Sequence, residues 1–235
     1  MNVNEIKQDC DDRINESENG QLSFDLFNRF SWMAQLQMMY WVSGDIDGKT
    51  PPQPYESQKN RDWLSPFITP LPTQVINGKV AKPDDYYQFE NMYVLGQFNE
   101  TSNCYDLIIN DGVQKNTDIE LLSGSKFTSR SETYIEGLQP SFTSPIAKIV
   151  GNNFVFNPTD LGSITLEYIR YPQKAILNTK LDPVYNEPVY DPTTSIDFEW
   201  GEYARESLVW FICDFFANRT REQALKTFNQ ATKNP

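Results

Sequence analysis

The sequence has 235 residues, of which 20 are Lys or Arg and 32 are Asp or Glu, so its formal net charge is −12. It contains no histidine, which excludes Ser-His-Asp and Cys-His catalysis, zincin motifs and histidine-based zinc sites. The negative balance argues against a broad nucleic-acid-binding surface, because phosphates are neutralised by clustered Lys and Arg. The length suits one large or two small domains with a proper hydrophobic core.

Three cysteines, Cys10, Cys104 and Cys213, lie far apart in the sequence. This spacing fits neither a disulfide framework nor a CxxC metal site, so we predict reduced thiols in a protein made in the cytosol. The N-terminal residues lack a basic stretch followed by an apolar one, and no apolar run is long enough for a membrane span. Neither a signal peptide nor a membrane segment is therefore predicted.

Residues 1–43 are predicted to be helical. In residues 4–17 apolar side chains recur every four residues, which indicates an amphipathic helix. Ser23 is a good N-cap for a second helix that runs to about residue 42. Because this second helix is apolar on nearly all sides, it must be covered on nearly all sides. It is either a central core helix or a helix that packs partly on a neighbouring subunit, where aromatic residues and Met are enriched.

Residues 44–72 and 181–195 are rich in proline. Proline disfavours both a helix interior and a central strand, so both segments are predicted to be extended, the first as a connector and the second as a linker. Between them, residues 73–180 are predicted to form a β domain, in which short β-prone runs alternate with turn sequences such as Asn77-Gly78. An antiparallel barrel and an antiparallel sandwich both fit this arrangement.

Residues 196–235 are predicted to form the C-terminal helices. Asp197 is the predicted N-cap of a helix that runs to about Ala217, and a second helix covers 221–233. The predicted fold class is therefore α+β, with the N- and C-terminal helices packed together as a helical bundle and an antiparallel β domain inserted between them.

Motifs that carry chemistry are scarce. GxGxxG, GxxxxGK[ST] and GxSxG do not occur, and we predict no enzyme, no cofactor and no metal site. Two strongly apolar helical segments and two extended connectors instead favour a subunit that assembles with copies of itself. The side chains predicted to anchor subunit contacts are Phe24, Phe27, Trp32, Trp41, Trp210 and Phe216.

Lys126 and Arg130 lie in a Ser- and Gly-rich stretch, 123–130, which is predicted to be a basic loop. They are the candidate contacts with nucleic acid or with an acidic patch of a partner. A surface of mixed charge is the alternative interpretation of the same residues.

Short motifs along most of the chain resemble one known family. They are GQLSFDLFN at Gly20–Asn28, Ala34-Gln35, Ser129-Arg130, PIA at Pro145–Ala147, VFNP at Val155–Pro158, LEYIRYP at Leu166–Pro172 and DFEW at Asp197–Trp200. In this order they resemble the ring proteins in the head–tail necks of crAss-like and related Bacteroidetes phages. The segment 44–72 and the extreme termini take no part in the resemblance.

The resemblance implies a virion structural protein that is assembled in the cytoplasm of the bacterial host. Such proteins form rings of about twelve copies below the portal, bind the portal and adjacent neck and tail proteins, and continue the DNA channel. DNA would pass without sequence-specific binding, and a negative wall would keep it from sticking. No membrane is involved.

Two other functions remain open from the sequence. The first is a β-rich receptor- or carbohydrate-binding tail accessory that stacks sugars on Tyr and Trp. The second is an enzyme that acts through a pair of carboxylates, although the sequence singles out no such pair.

Overall fold

The computed structural model describes residues 1–18, 22–43, 58–99, 101–102, 104–106, 108–110, 113–135 and 138–233. The fold is α+β and divides into two compact units. The first unit comprises Met1–Pro66 and Tyr171–Pro235, and the second comprises Phe67–Arg170. The second unit is therefore one continuous insertion in the sequence of the first, shorter at its C-terminal side than the predicted domain 73–180.

Five α-helices lie in the described residues. They are α1 (Val3–Glu18), α2 (Phe24–Ser43), α3 (Gln58–Leu64), α4 (Gly124–Ser131) and α5 (Arg205–Lys233). Two short 3₁₀ helices, Ser65–Phe67 and Glu202–Ala204, precede a strand and α5 respectively. α2 begins as predicted, because the Ser23 hydroxyl accepts the Leu26 N–H at 3.4 Å and the Ser23 carbonyl accepts the Phe27 N–H at 2.9 Å.

The first turn of α1 is capped by Asn2, whose Oδ1 accepts the N–H groups of Asn4 and Glu5 at 2.8 and 3.3 Å, and by a residue from the other end of the chain. Asp197 Oδ1 accepts the N–H of Val3 at 2.9 Å, and the Met1 carbonyl accepts the N–H of Phe198 at 3.0 Å. The prediction that Asp197 begins the last helix is wrong, since α5 starts at Arg205. The first turn of α1 has backbone N–H groups without helical partners, and the Asp197 carboxylate satisfies one of them.

α5 is continuous from Arg205 to Lys233. The predicted division into two helices between Ala217 and Arg221 is therefore wrong. No Gly or Pro interrupts this segment, and Asn218 donates to Asp214 at 3.0 Å across one helical turn, a pair that supports the helix.

α5 contacts both α1 and α2 within the first unit. The rings of Phe30 on α2 and Phe215 on α5 stack with their centroids 6.4 Å apart. One long stripe of α2 is buried, namely Phe27, Phe30, Ser31, Ala34, Gln35, Met38, Met39, Val42 and Ser43.

Two polar side chains of α2 hold an extended segment that follows the second unit. The Asn28 amide donates to the Leu177 carbonyl at 3.0 Å and accepts the Leu177 N–H at 2.7 Å. The Gln35 amide donates to the Gln173 carbonyl at 3.2 Å and accepts the Ala175 N–H at 3.3 Å. These side chains form the backbone hydrogen bonds that a neighbouring strand would otherwise form with this segment. The segment after Arg170 therefore belongs to the first unit.

The strands are β1 (Ile68–Gln74), β2 (Lys79–Ala81), β3 (Tyr86–Leu95), β4 (Gln97–Asn99), β5 (Cys104–Asp106), β6 (Ile108–Asn110), β7 (Val113–Asp118), β8 (Glu120–Leu121), β9 (Ile146–Val150), β10 (Asn153–Asn157), β11 (Ser163–Arg170), β12 (Thr179–Leu181) and β13 (Pro188–Tyr190). One antiparallel sheet has the order β1-β11-β3-β7-β6, and a second has the order β2-β10-β9-β8. β4 pairs with β5 and β12 pairs with β13 in two-stranded sheets. The pair β8–β9 is parallel, in contrast to the antiparallel prediction.

The predicted connector 44–72 contains regular structure in its described part. α3 and most of β1 fall within it, while residues 44–57 lie outside the described residues. β1 includes Pro70 and Pro72 but is an edge strand, which tolerates a missing N–H on its open side. Likewise, the predicted linker 181–195 contains β13 and the turn of a β-hairpin.

The Asn77-Gly78 turn forms as predicted. Asn77 has φ 52° and Gly78 has φ 70°, the left-handed values that a type I′ hairpin turn needs. A Cβ on Gly78 would lie 2.7 Å from Thr159 Cγ2, so only glycine fits here without a shift. The turn joins β1 to β2, which continue into different sheets.

The two larger sheets share one hydrophobic core. It consists of Val80, Met92, Val94, Ile119, Ala147, Phe154, Phe156, Leu161, Ile164, Leu166 and Tyr168. Among the described strands no sheet closes on itself, so the barrel alternative is wrong. Phe154 is completely buried, and its ring contacts those of Tyr86 and Phe89 at 5.9 and 6.3 Å.

Replacing Phe154 with Ala should lower the free energy of unfolding by about 3–5 kcal/mol, because the change leaves a cavity in this core. Ile149 pairs with Phe154 on the neighbouring strand but is 40% exposed, so Ile149→Ala should cost less than about 1 kcal/mol. Urea denaturation followed by circular dichroism measures both. Equal losses would contradict the assignment of the core.

Replacing Asp197 with Ala should cost about 1 kcal/mol, because the N–H of Val3 in the first turn of α1 loses its acceptor. Asn keeps an oxygen at the same position, so Asp197→Asn should retain most of the stability. Thermal unfolding of the two variants compares them directly, and an Asp197→Asn variant as weak as Asp197→Ala would rule out a capping role.

Candidate interaction surface

An apolar groove is formed where α1, α2 and α5 meet in the first unit. It has a volume of about 450 Å³ and is lined by Arg13, Gln37, Trp41, Glu206, Ser207, Trp210 and Phe211. Gln37 and Trp41 lie one turn apart on α2, and the same spacing relates Glu206 to Trp210 on α5. Helical periodicity thus places each pair on one face of its helix.

The two tryptophans that line the groove are unusually accessible for such large apolar side chains. Trp41 is 45% exposed and Trp210 is 54% exposed. The Trp210 ring meets the Phe211 ring edge to face at 5.0 Å. Aromatic side chains in this arrangement are enriched at protein interfaces, where covering them contributes much of the binding free energy.

Two further aromatic side chains, Trp63 and Tyr203, support Trp41 through consecutive ring contacts. Its ring meets Trp63 of α3 at 5.6 Å, and Trp63 meets Tyr203 at 5.5 Å. The Tyr203 hydroxyl donates to the Asp62 carbonyl at 3.0 Å. Because Trp63 is only 9% exposed, it is a fixed support, and the position of Trp41 is set before any partner binds.

Ion pairs link the same helices beside the groove. Arg205 on α5 donates to Asp9 at 2.7 Å and to Glu5 at 3.1 Å on α1, and the hydrogen bond to Asp9 raises the pKa of Arg205. Arg13 pairs with Glu206 at 3.3 Å. These groups are largely exposed, so the pairs contribute little to stability but set the orientation of α1 against α5 and give the groove a polar rim.

The structure places the six predicted contact residues in different surroundings, and Phe216 lines a neighbouring cavity with Trp210. Trp41 and Trp210 line one groove, whereas Phe27 is completely buried and Phe216 is 8% exposed. Their own chain covers these two phenylalanines, which leaves almost no surface of them for a neighbour. Phe24 and Trp32 are half-buried elsewhere on α2, and the Phe24 ring lies 5.5 Å from the Lys7 ammonium.

The sequence did not point to the supporting residues Trp63 and Tyr203. Trp63 lies in the segment predicted to be an extended connector, and Tyr203 lies in the segment assigned to the helix after Asp197. The only signal in the sequence was their aromatic character, since the contact between them joins residues far apart in the chain.

The predicted basic loop is helix α4. Its N-terminal end is Gly- and Ser-rich, yet the Ser123 carbonyl accepts the Phe127 N–H at 2.9 Å and starts the helix. Arg130 forms an ion pair with Glu120 and donates to Ser144 Oγ at 3.2 Å. Arg130 is thus engaged within its own unit, and Lys126 remains exposed. The two residues line one cavity of about 520 Å³, in which the ion pair with Glu120 offsets the charge of Arg130.

A second exposed apolar surface lies on the β12–β13 hairpin, also in the first unit. Val184 and Tyr185 in its turn are each 76% exposed, and Leu181 is 64% exposed. Asp182 Oδ1 accepts the N–H groups of Val184 and Tyr185 at 2.7 and 3.1 Å, which orders the turn that carries them.

Neither a metal-binding cluster nor a membrane-spanning helix is found in the part of the chain that the structure describes. No group of three or more His, Cys, Asp or Glu side chains there is placed to hold a metal ion. Among the same residues, no helix combines the length and the apolar character needed to cross a membrane.

Comparison of the sequence with protein-family models and with curated proteins finds no match. The functional argument therefore depends on the residues and on the geometry of the two apolar surfaces.

Trp63 and Trp41 should differ sharply in their effect on stability. Trp63→Ala removes a buried support and should lower the free energy of unfolding by about 3–5 kcal/mol. Trp41→Ala removes a half-exposed side chain and should cost about 1 kcal/mol in the isolated monomer. Chemical denaturation at low protein concentration measures both, and a larger loss for Trp41→Ala would show that Trp41 is a core residue.

Proposed function

We propose that this chain is a ring protein of the head–tail neck of a crAss-like or related phage. In this function, copies of the chain form a closed ring in the virion, bind the portal and adjacent neck or tail proteins, and continue the DNA channel. The groove around Trp41 and Trp210 is the single structural observation that carries the proposal, and the motif resemblance supplies the class of assembly.

A second copy of the chain is the proposed occupant of the groove. A closed ring needs a heterologous contact, in which one surface of a subunit meets a different surface of the next. The first unit offers two distinct apolar surfaces, the groove and the β12–β13 hairpin. Contact between the groove of one copy and the hairpin of the next would cover Trp41 and Trp210 together with Val184 and Tyr185.

The two units take different parts in the proposed assembly. We infer that α1, α2 and α5 form the helical bundle that holds the ring together, since the groove is built from these helices. The second unit, with its two sheets on a shared core in the manner of a sandwich, would contact further tail components.

The negative net charge of the chain is consistent with a role in lining a DNA channel. A net charge of −12 repels the phosphates of passing DNA, so DNA can slide without being held. The ion pair of Arg130 with Glu120 also reduces the positive charge that this side chain could offer to a phosphate.

Wild-type protein should form oligomers at rising concentration, and Trp210→Asp should abolish them. An aspartate at this position would place an unpaired charge in the contact. Because Trp210 is 54% exposed, the isolated subunit should lose only about 1 kcal/mol of stability. Tyr134→Asp is the matched control, because Tyr134 is a 97% exposed aromatic residue in the other unit. Light scattering after size exclusion measures the mass of each species, and electron micrographs show whether the oligomers are rings.

Wild-type oligomers from Trp210→Asp would contradict the assigned contact. A wild-type monomer at all concentrations that binds a glycan would instead favour the carbohydrate-binding accessory.

A further inference from the structure

Two of the three cysteines meet where α1 packs on α5. Cys10 on α1 and Cys213 on α5 are 203 residues apart in the sequence, and Cys213 Sγ lies 4.0 Å from the Cys10 carbonyl oxygen. The two residues are therefore in contact where the two helices pack. Cys104 lies in β5 of the other unit and is exposed.

The two thiols differ in their access to solvent. Cys10 is completely buried. Cys213 is half-buried and lines a cavity of about 240 Å³ together with Arg13, Asp214 and Trp210. A small reagent in solution can therefore reach Cys213, whereas Cys10 is accessible only to its neighbour.

The surroundings of the two thiols also shift their pKa values in opposite directions. Interaction with the Cys10 side chain lowers the pKa of Cys213, and the Arg13 guanidinium lowers it further, although burial and Asp11 oppose these effects. The same interaction and burial raise the pKa of Cys10. Cys213 is thus the sulfur that ionises first, and the thiolate is the form that reacts with oxidants.

We propose that Cys213 and Cys10 form a redox site, in which a peroxide oxidises Cys213 and Cys10 then closes a disulfide between α1 and α5. The Cys213 thiolate attacks one oxygen of hydrogen peroxide, the O–O bond breaks, and a sulfenic acid and one water form after protonation. The Cys10 sulfur then attacks the sulfenic sulfur, and a second water leaves. Two thiols and one peroxide give one disulfide and two waters.

The disulfide joins the first helix of the chain to the last. It closes a loop of about two hundred residues, which restricts the unfolded chain and stabilises the folded one. The inference concerns the unassembled subunit. Both sulfurs belong to the same chain and the same unit, whereas Trp210, which lines the cavity at Cys213, also lines the groove that a second copy is proposed to cover.

Reduced wild-type protein treated with one equivalent of hydrogen peroxide tests the site. The intact mass should fall by about 2 Da, the mass of the two hydrogen atoms lost, and the free thiols should fall from three to one. Peptide mapping without reduction should link Cys10 to Cys213. The thermal midpoint should rise by about 5–10 °C relative to the reduced protein.

Three variants separate the roles of the sulfurs. Cys104→Ser is the matched control, and its mass should fall by about 2 Da, as in the wild type. Cys10→Ser should stop at a sulfenic acid on Cys213, which dimedone traps, and its thermal midpoint should not rise. Cys213→Ser should leave Cys10 unoxidised, because Cys10 has no exposed surface.

Several results would overturn the proposal. They are a wild-type protein that keeps three free thiols, a disulfide that includes Cys104, and a Cys10→Ser variant in which dimedone labels only Cys104.

Discussion

The fold depends on the contact between the two ends of the chain. Asp197 accepts an N–H of the first turn of α1, and backbone hydrogen bonding joins Phe198 to Met1. The ion pairs of Arg205 with Glu5 and Asp9 set the orientation of α1 against α5. Most of the stability of a helix in a protein comes from the packing of its apolar face, and α1 packs against α5. Since the first and last segments are partners, the segment Phe67–Arg170 forms a separate unit with its own core.

The same packing explains why an interaction surface remains. α2 buries its long apolar stripe against its own unit, and Asn28 and Gln35 on the same helix hold the extended segment that follows Arg170. Trp41 on the same helix remains 45% exposed, and Trp210 lines the same groove from α5. Trp63 and Tyr203 fix Trp41 from behind, so the groove is formed before a partner arrives.

Local signals allowed much of the secondary structure to be predicted. The N-cap at Ser23 and the type I′ turn at Asn77-Gly78 depend on neighbouring residues, and both form as expected. The role of Asp197 was not predictable, because its partner Val3 is 194 residues away. α4 was missed because its Ser and Gly residues are typical of loops.

The candidate site was predictable only in part. Trp41 and Trp210 could be chosen as large aromatic residues on helices, but Phe27 and Phe216 were chosen on the same grounds and are buried in their own chain. On a helix that is apolar all round, the sequence does not show which face a neighbour covers. That distinction depends on tertiary packing, as does the support of Trp41 by Trp63.

Electron cryomicroscopy of the assembled wild-type protein tests the central claim most directly. The account predicts a closed ring in which a neighbouring copy occupies the groove and removes Trp41 and Trp210 from solvent. A ring held by other surfaces, with the groove empty and both indoles facing solvent, would contradict it.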